Sequence, residues 1–298
     1  MLESVAEGRA MKIIDAHNHI DFHGITVDRA IADMDRHGID QAWLLTWEVP
    51  ASEIDFDLFR KAIHPSFHSL TFERVYEAFK NYPDRFIVGY CPDPRDPQAI
   101  EKLEQAYHHY DVKVCGELKL RMMYDNPDAI ELYETCGELG LPVVTHIDYP
   151  IRLRPGHYPR SSYWYGGGVE ALERVLRQVP QTNFLGHAPG FWAHISDDGQ
   201  HAAEIYPKGP IVGKGAVIRL LETYDNIYAD LSAFSALNAL SRDIGFTKEL
   251  FDRFQDRFVF ARDCYTTELY DFINGLDLPL SIREKIFYKN ARSLIRSV

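Results

Sequence analysis

I13-I-D-A-H-N-H-I20 begins as an apolar run and ends on two imidazoles, His17 and His19, one residue apart. On an extended strand the side chains alternate between faces, so positions i and i+2 project together and can act as a two-toothed metal clamp. With 13 His among 298 residues, an H-x-H pair arises by chance in roughly every second chain of this composition. The pair gains meaning only from what the rest of the chain places beside it.

Working outward, similar apolar runs recur at 39–47, 85–92, 112–120, 141–148, 182–188, 226–232 and 257–264, after the first at 12–20. Most are nearly continuous in Val, Ile, Leu and Phe, the pattern of strands covered on both faces. Amphipathic stretches separate them. V27-D-R-A-I-A-D-M-D-R-H-G38 and A129-I-E-L-Y-E-T-C-G-E-L-G140 both end on a Gly suited to a left-handed helix cap. Further helical patterns cover 72–83, 99–110, 168–180, 212–224, 247–256 and 282–297. Eight strands alternating with helices predict a (β/α)8 TIM barrel, with a doubly wound eight-stranded sheet as the structural alternative. The expected organisation is an N-terminal extension over 1–11 and a single barrel domain over 12–298.

Composition narrows the function. A 46% hydrophobic and 26% charged chain can bury a large core. The formal net charge of −12, with no Lys/Arg-rich block, argues against nucleic acid or an anionic membrane as partner. No run approaches the ~18 apolar residues of a membrane span. The start MLESVAEGRAMK lacks the apolar centre of a signal peptide. Cys91, Cys115, Cys136 and Cys264 lie far apart without a C-x-x-C, as reduced thiols of a cytoplasmic protein would. A small-molecule substrate is expected, and homo-oligomerisation stays open.

The polar interruptions fall in a pattern. His17 and His19 lie toward the end of strand 1, Glu117 interrupts strand 4, and His146, His187 and Asp263 nearly end strands 5, 6 and 8. Polar groups at the ends of apolar strands cost free energy unless bonded or coordinated. In a barrel all six reach the C-terminal face, where active sites form. Imidazoles and carboxylates without thiolates suit zinc first, then manganese, iron or magnesium. Such a site can create a nucleophilic water at neutral pH, with Asp263 as the candidate proton acceptor. The long connections 48–70, 149–166 and 189–211 would wall that face, and Arg152, Arg154, His157 and His194 are candidates for holding an anionic substrate group. Asp15 is expected on the same face as His17, orienting a ligand or a basic neighbour, and His23 is close enough to support the pair. His64, His68, His108, His109 and His201 read as solvated surface.

The chain resembles the amidohydrolase superfamily, in its amidohydrolase-related (amidohydrolase 2) branch, from Lys12 to the C-terminus. The resemblance rests on D-A-H-N-H at 15–19, T-H-I-D around His146, L-G-H-A-P-G around His187, F-A-R-D-C around Asp263 and the closing N-A-R-S-L helix. It implies that His17, His19, His146, His187 and Asp263 bind metal, and that Asp263 also serves as base. Two departures stand out. Relatives often have F-G-[ST]-D where this chain has F-A-R-D, and Arg262 should point away from Asp263 and brace the barrel wall. On strand 4, Glu117 resembles the bridging Glu of TatD-like hydrolases, which admits one or two ions; the alternative is an ion pair of Glu117 with Lys119 or Arg121.

The leading expectation is therefore a metal-dependent hydrolase that attacks an amide, lactone or related bond of a small polar molecule with metal-bound hydroxide. The alternative is a one-metal decarboxylase of an unsaturated or aromatic acid, to which the same branch points. A TatD-like nuclease ranks third, against the acidic charge balance.

Overall fold

The protein, seen in a computed structural model that describes residues 11–53, 69–148 and 164–295, is built on eight parallel strands. They are β1 (Ile14–Asn18), β2 (Gln41–Leu44), β3 (Phe86–Gly89), β4 (Val112–Leu118), β5 (Val143–His146), β6 (Phe184–His187), β7 (Ile227–Leu231) and β8 (Phe258–Phe260). Each pairs with the next in chain order, with helices between, which makes a (β/α)8 barrel. The doubly wound alternative is excluded, because its strand order would reverse about the first strand.

Alternation along the strands builds two apolar layers. Ile14, Ala16, Trp43, Leu45, Ile87, Val114, Val144, Leu185, Val259 and Ala261 fill the barrel interior. Their neighbours in sequence, among them Leu44, Val88, Val143 and Phe260, meet the surrounding helices. Burying each large side chain stabilises by about 1.5–3 kcal/mol. The N-terminal end of the barrel is closed by Ala291, Leu294 and Ile295. Asn290 fixes that plug by donating from Nδ2 to the carbonyls of Gln255 and Phe258, both at 2.8 Å. This is what the N-A-R-S-L helix does.

The helices obey the cap signals. Val27–His37 ends at Gly38 and Pro127–Leu139 at Gly140, both in the left-handed region, and each glycine N–H returns to a carbonyl of the last turn. Two helices went unanticipated, Ala233–Ser241 and Glu268–Gly275. The first carries no charged residue and the second spans two turns, so neither shows an amphipathic repeat long enough to read. The expected helix over 282–297 is three consecutive pieces, Leu280–Glu284, a π-turn at Lys285–Lys289 and Asn290–Leu294.

The seam between β8 and β1 is closed differently from the rest. The Arg262 N–H donates to Asp15 Oδ1 at 2.9 Å, and the Asp263 N–H donates to the His17 carbonyl at 2.7 Å. This corrects the expected placement of Asp15. Register shifts between Asp15 and Asn18, so strict alternation fails there. Asp15 faces the helix layer and pairs with Arg262, whose guanidinium also reaches Asp33 on the first helix at 2.6 Å. Beyond the irregularity, His17 and His19 turn into the barrel mouth. Arg262 braces the wall as expected, because Ala261 before it points inward.

Among the described residues no helix is long and apolar enough to cross a membrane, and all four cysteines are free.

Candidate metal centre

At the C-terminal ends of the strands, His17, His19, Glu117, His187 and Asp263 direct donor atoms at one another. The His17 and His19 Nε2 atoms are 3.3 Å apart. Glu117 Oε2 lies 3.4 Å from His19 Nε2 and 3.9 Å from His17 Nε2. Asp263 Oδ1 lies 3.6 and 3.8 Å from the same two nitrogens. His187 Nε2 completes the group, 3.6 Å from Glu117 Oε1 and 3.8 Å from Asp263 Oδ2. Three overlapping triads, His17/His187/Asp263, His17/His19/Glu117 and Glu117/His146/His187, have ligand atoms close enough to share an ion.

The partners on the far side of each ring fix which nitrogen is free to coordinate. His17 Nδ1 meets the Asp230 carboxylate at 2.6 Å, and His19 Nδ1 meets the Leu45 carbonyl at 2.8 Å. Both partners can only accept, so each Nδ1 carries a proton and Nε2 is the nitrogen turned toward the cluster. His187 Nδ1 bonds Ser232 Oγ at 2.7 Å, leaving Nε2 buried with no hydrogen-bond partner among the described residues. An orphaned buried nitrogen is costly unless something takes its lone pair.

The electrostatics draw positive charge into the mouth. Burial opposes charge on His17, yet Asp230, Asp263 and Glu117 outweigh it and push its pKa up to about 9. Burial, together with His17 and His146, holds His187 well below the ordinary imidazole value. Burial also raises Asp230, which His17 only partly offsets. The buried Glu117 and Asp230 and the more open Asp263 call for positive charge, which an ion could supply in place of protons on the imidazoles. The donor set, the two fixed tautomers and the orphaned His187 Nε2 fit a divalent ion.

Local sequence explains the placement. In L185-G-H-A-P-G190, a Cβ on Gly186 would lie 2.4 Å from the Phe191 ring, and one on Gly190 2.4 Å from the Ile147 carbonyl oxygen. These two glycines let the turn Pro189–Trp192 fold back over β5 and β6. Trp192 Nε1 then donates to the Asp230 carbonyl at 3.0 Å and steadies the carboxylate behind His17. Ala188 and Asp263, just past β6 and β8, both hold positive φ, 77° and 61°. Such conformations cost about 1–3 kcal/mol each and concentrate at functional sites.

The other expected residues divide. His146 is at the mouth, but both its nitrogens meet carboxylates, Nδ1 with Glu117 Oε1 at 2.6 Å and Nε2 with Asp148 Oδ2 at 2.9 Å. Glu117 is held low by Lys119, His146 and His19 against the opposing effect of burial. His23 is turned outward and exposed, its ring against Phe22 at 4.2 Å, so it does not support the pair. His194 is buried against His201, ring centroids 4.1 Å apart, rather than among the donors, and His201 is half-buried rather than solvated. Arg152, Arg154 and His157 lie outside the described residues, as do His64 and His68. Sequence reading missed Asp230, Ser232 and Asp148. Asp230 stands next to last in β7, near a strand end as His146, His187 and Asp263 are, and so was findable.

No curated protein matches the chain by sequence. Solved structures share the fold. The 2,6-dihydroxybenzoate decarboxylase of a Rhizobium superposes with a TM-score of 0.61 at 17% identity, over 95% of this chain and 98% of that one. A dihydroxybenzoic acid decarboxylase of Polaromonas sp. JS666, with bound manganese and 2-nitroresorcinol, gives 0.58 at 17%, over 95% and 96%. A probable 2-pyrone-4,6-dicarboxylic acid hydrolase of Acinetobacter baumannii, with citric acid bound, gives 0.59 at 15%, over 95% and 98%. The family model for amidohydrolases, in the amidohydrolase 2 branch, matches residues 14–296, and with that extent the chain belongs to this family of enzymes.

Proposed function

We propose that this protein is a metal-dependent decarboxylase of an unsaturated or aromatic acid. The observation that carries the reading is that His17, His19, Glu117, His187 and Asp263 gather about one point, while His146 is engaged by Glu117 and Asp148. That arrangement favours one ion over two. The decarboxylases among its structural relatives, one with manganese, support it.

His17, His19, His187 and Asp263 would hold the ion, with Glu117 beside them. When bound, it supplies Lewis acidity toward the oxygens of the substrate acid. Asp230, Ser232 and the Leu45 carbonyl keep the three imidazoles in orientation. Asp263 has the most exposed side chain of the five, at 15%, and is the group placed to carry a proton between solvent and the reacting carbon. The carbon–carboxylate bond breaks, carbon dioxide leaves, and the electron pair left on carbon takes the Asp263 proton.

The hydrolase reading retains one supporting observation. Glu117, His146 and His187 could share a second ion, and the Acinetobacter relative is a probable hydrolase. There Asp263 would take a proton from water rather than deliver one to carbon.

Zinc and manganese are the ions to load first, since the donor set admits both. Loaded protein incubated with 2,6-dihydroxybenzoate, other hydroxybenzoates and 2-pyrone-4,6-dicarboxylate should release carbon dioxide from an acid without ring opening. Asp263→Asn, with metal content retained, should lower that rate by about 10²–10⁴. Ring opening without carbon dioxide would establish the hydrolase instead, and undiminished turnover would remove Asp263 as the proton carrier.

A further inference from the structure

We propose that Lys119 is the anchor for the substrate's carboxylate, held at the mouth by the rings of Trp47 and Tyr165.

Lys119 directly follows β4, two residues after Glu117, and is only 9% exposed. Its Nζ sits 4.0 Å from the centroid of the Trp47 ring and 5.8 Å from that of Tyr165. Trp47 is itself tied to this strand, its Nε1 donating to the Lys119 carbonyl at 3.1 Å. Tyr165 stands edge-on to His146, ring centroids 5.4 Å apart. The ammonium, two aromatic faces and the donor cluster therefore share one mouth. The charge of Lys119 acts on Glu117, His146, His187 and Cys264, which lie at or beyond the ends of four different strands.

A desolvated ammonium against aromatic faces is held by the ring quadrupoles, and an anion brought to it gains a charge-assisted hydrogen bond. Among the described residues the other charged groups near the mouth are the acidic Glu117, Asp148 and Asp263, and Arg121, which donates to the Glu53 carbonyl at 3.1 Å. Lys119 is thus the described cation best placed to meet an anionic group while the rest of the molecule lies over the metal donors.

This inference rests on the proposed reaction only in calling the bound acid a substrate. The test is binding rather than turnover. Manganese-loaded and chelator-treated protein are each titrated with 2-hydroxybenzoate and with its neutral analogue 2-hydroxybenzamide, following tryptophan fluorescence and calorimetry, with metal content measured throughout. Wild type should prefer the acid by about tenfold or more, the worth of one charge-assisted bond. Lys119→Met should abolish the preference, weakening the acid by about tenfold and the amide by less than about twofold, while Lys119→Arg should keep most of it. If Lys119→Met does not fold, Lys119→Gln serves in its place. A wild type that does not discriminate, or a Lys119→Met or Lys119→Gln protein that still does, overturns the inference. Protein that takes up no divalent ion yet shows the Lys119-dependent preference would sink the proposed reaction and leave the anchor standing.

Discussion

Two clusters of buried charge lie within a few residues of each other at the β8–β1 seam, and they are balanced in opposite ways. In the helix layer, Asp15 and Asp33 flank Arg262, with guanidinium contacts of 2.5 and 2.6 Å. In the barrel mouth, Glu117, Asp230 and Asp263 surround imidazoles whose free nitrogens face inward. The first cluster carries its own counter-charge and needs nothing from outside. The second has only Lys119 and a charged His17 to set against its three carboxylates, and burial makes that shortfall expensive. Neighbouring residues on one strand exit, Arg262 and Asp263, thus serve structure and chemistry separately.

Removing the counter-charge partner from the balanced cluster should have the largest effect. Burial raises the Asp15 pKa even though Arg262 pulls it down, so the pair is not itself a source of stability. The cost of Asp15→Asn comes from leaving Arg262 with Asp33 as its one carboxylate, up to about 3 kcal/mol in a denaturant melt. Manganese affinity of the folded fraction should fall far less. An equal collapse of metal binding would show that the two clusters are one unit and end the comparison.

The unbalanced cluster should respond to Asp230→Asn in the reverse sense. Asp230 touches no open side of the cluster; it holds His17 through Nδ1 at 2.6 Å. Losing such an orienting carboxylate weakens metal affinity by about 10–100-fold. Fold stability without metal should change little or rise, because burial already disfavours the Asp230 carboxylate. A chelator-treated Asp230→Asn protein that unfolds far more readily than treated wild type would assign Asp230 to the scaffold.

Most of the scaffold was legible because parallel strands buried on both faces leave continuous apolar runs, and all eight runs became strands. Gly38 and Gly140 likewise announced their caps. The donors were legible for the same reason, as polar residues that such strands would not otherwise tolerate. What escaped depends on geometry that sequence does not encode locally. Asp15 alternates with the inward Ile14 and Ala16, and a register shift against β2 between Asp15 and Asn18 then turns His17 to the other face. Asp230 and Ser232 act through histidines on other strands, 213 and 45 residues away. In sequence Lys119 shares a strand face with Glu117 and reads as its ion-pair partner or as a site residue in its own right; the aromatic ring that holds it arrives from the end of β2.

The smallest expected effect concerns strain. Ala188 follows His187 with φ 77° and ψ 173°, a region that essentially only glycine visits without cost. Pro189, Gly190 and the Trp192 bond to Asp230 hold the chain there and so aim both His187 and Asp230 at the cluster. In Ala188→Gly the strain is relieved, while the unfolded chain gains freedom that works against the fold. Relief should prevail by about 1 kcal/mol, seen as a higher melting temperature of metal-free protein. Metal affinity should stay within about threefold of wild type, because Gly186, Gly190 and Phe191 still fix the turn. Stability lost in Ala188→Gly would mean that the buried Ala188 methyl contributes more through packing than its conformation costs.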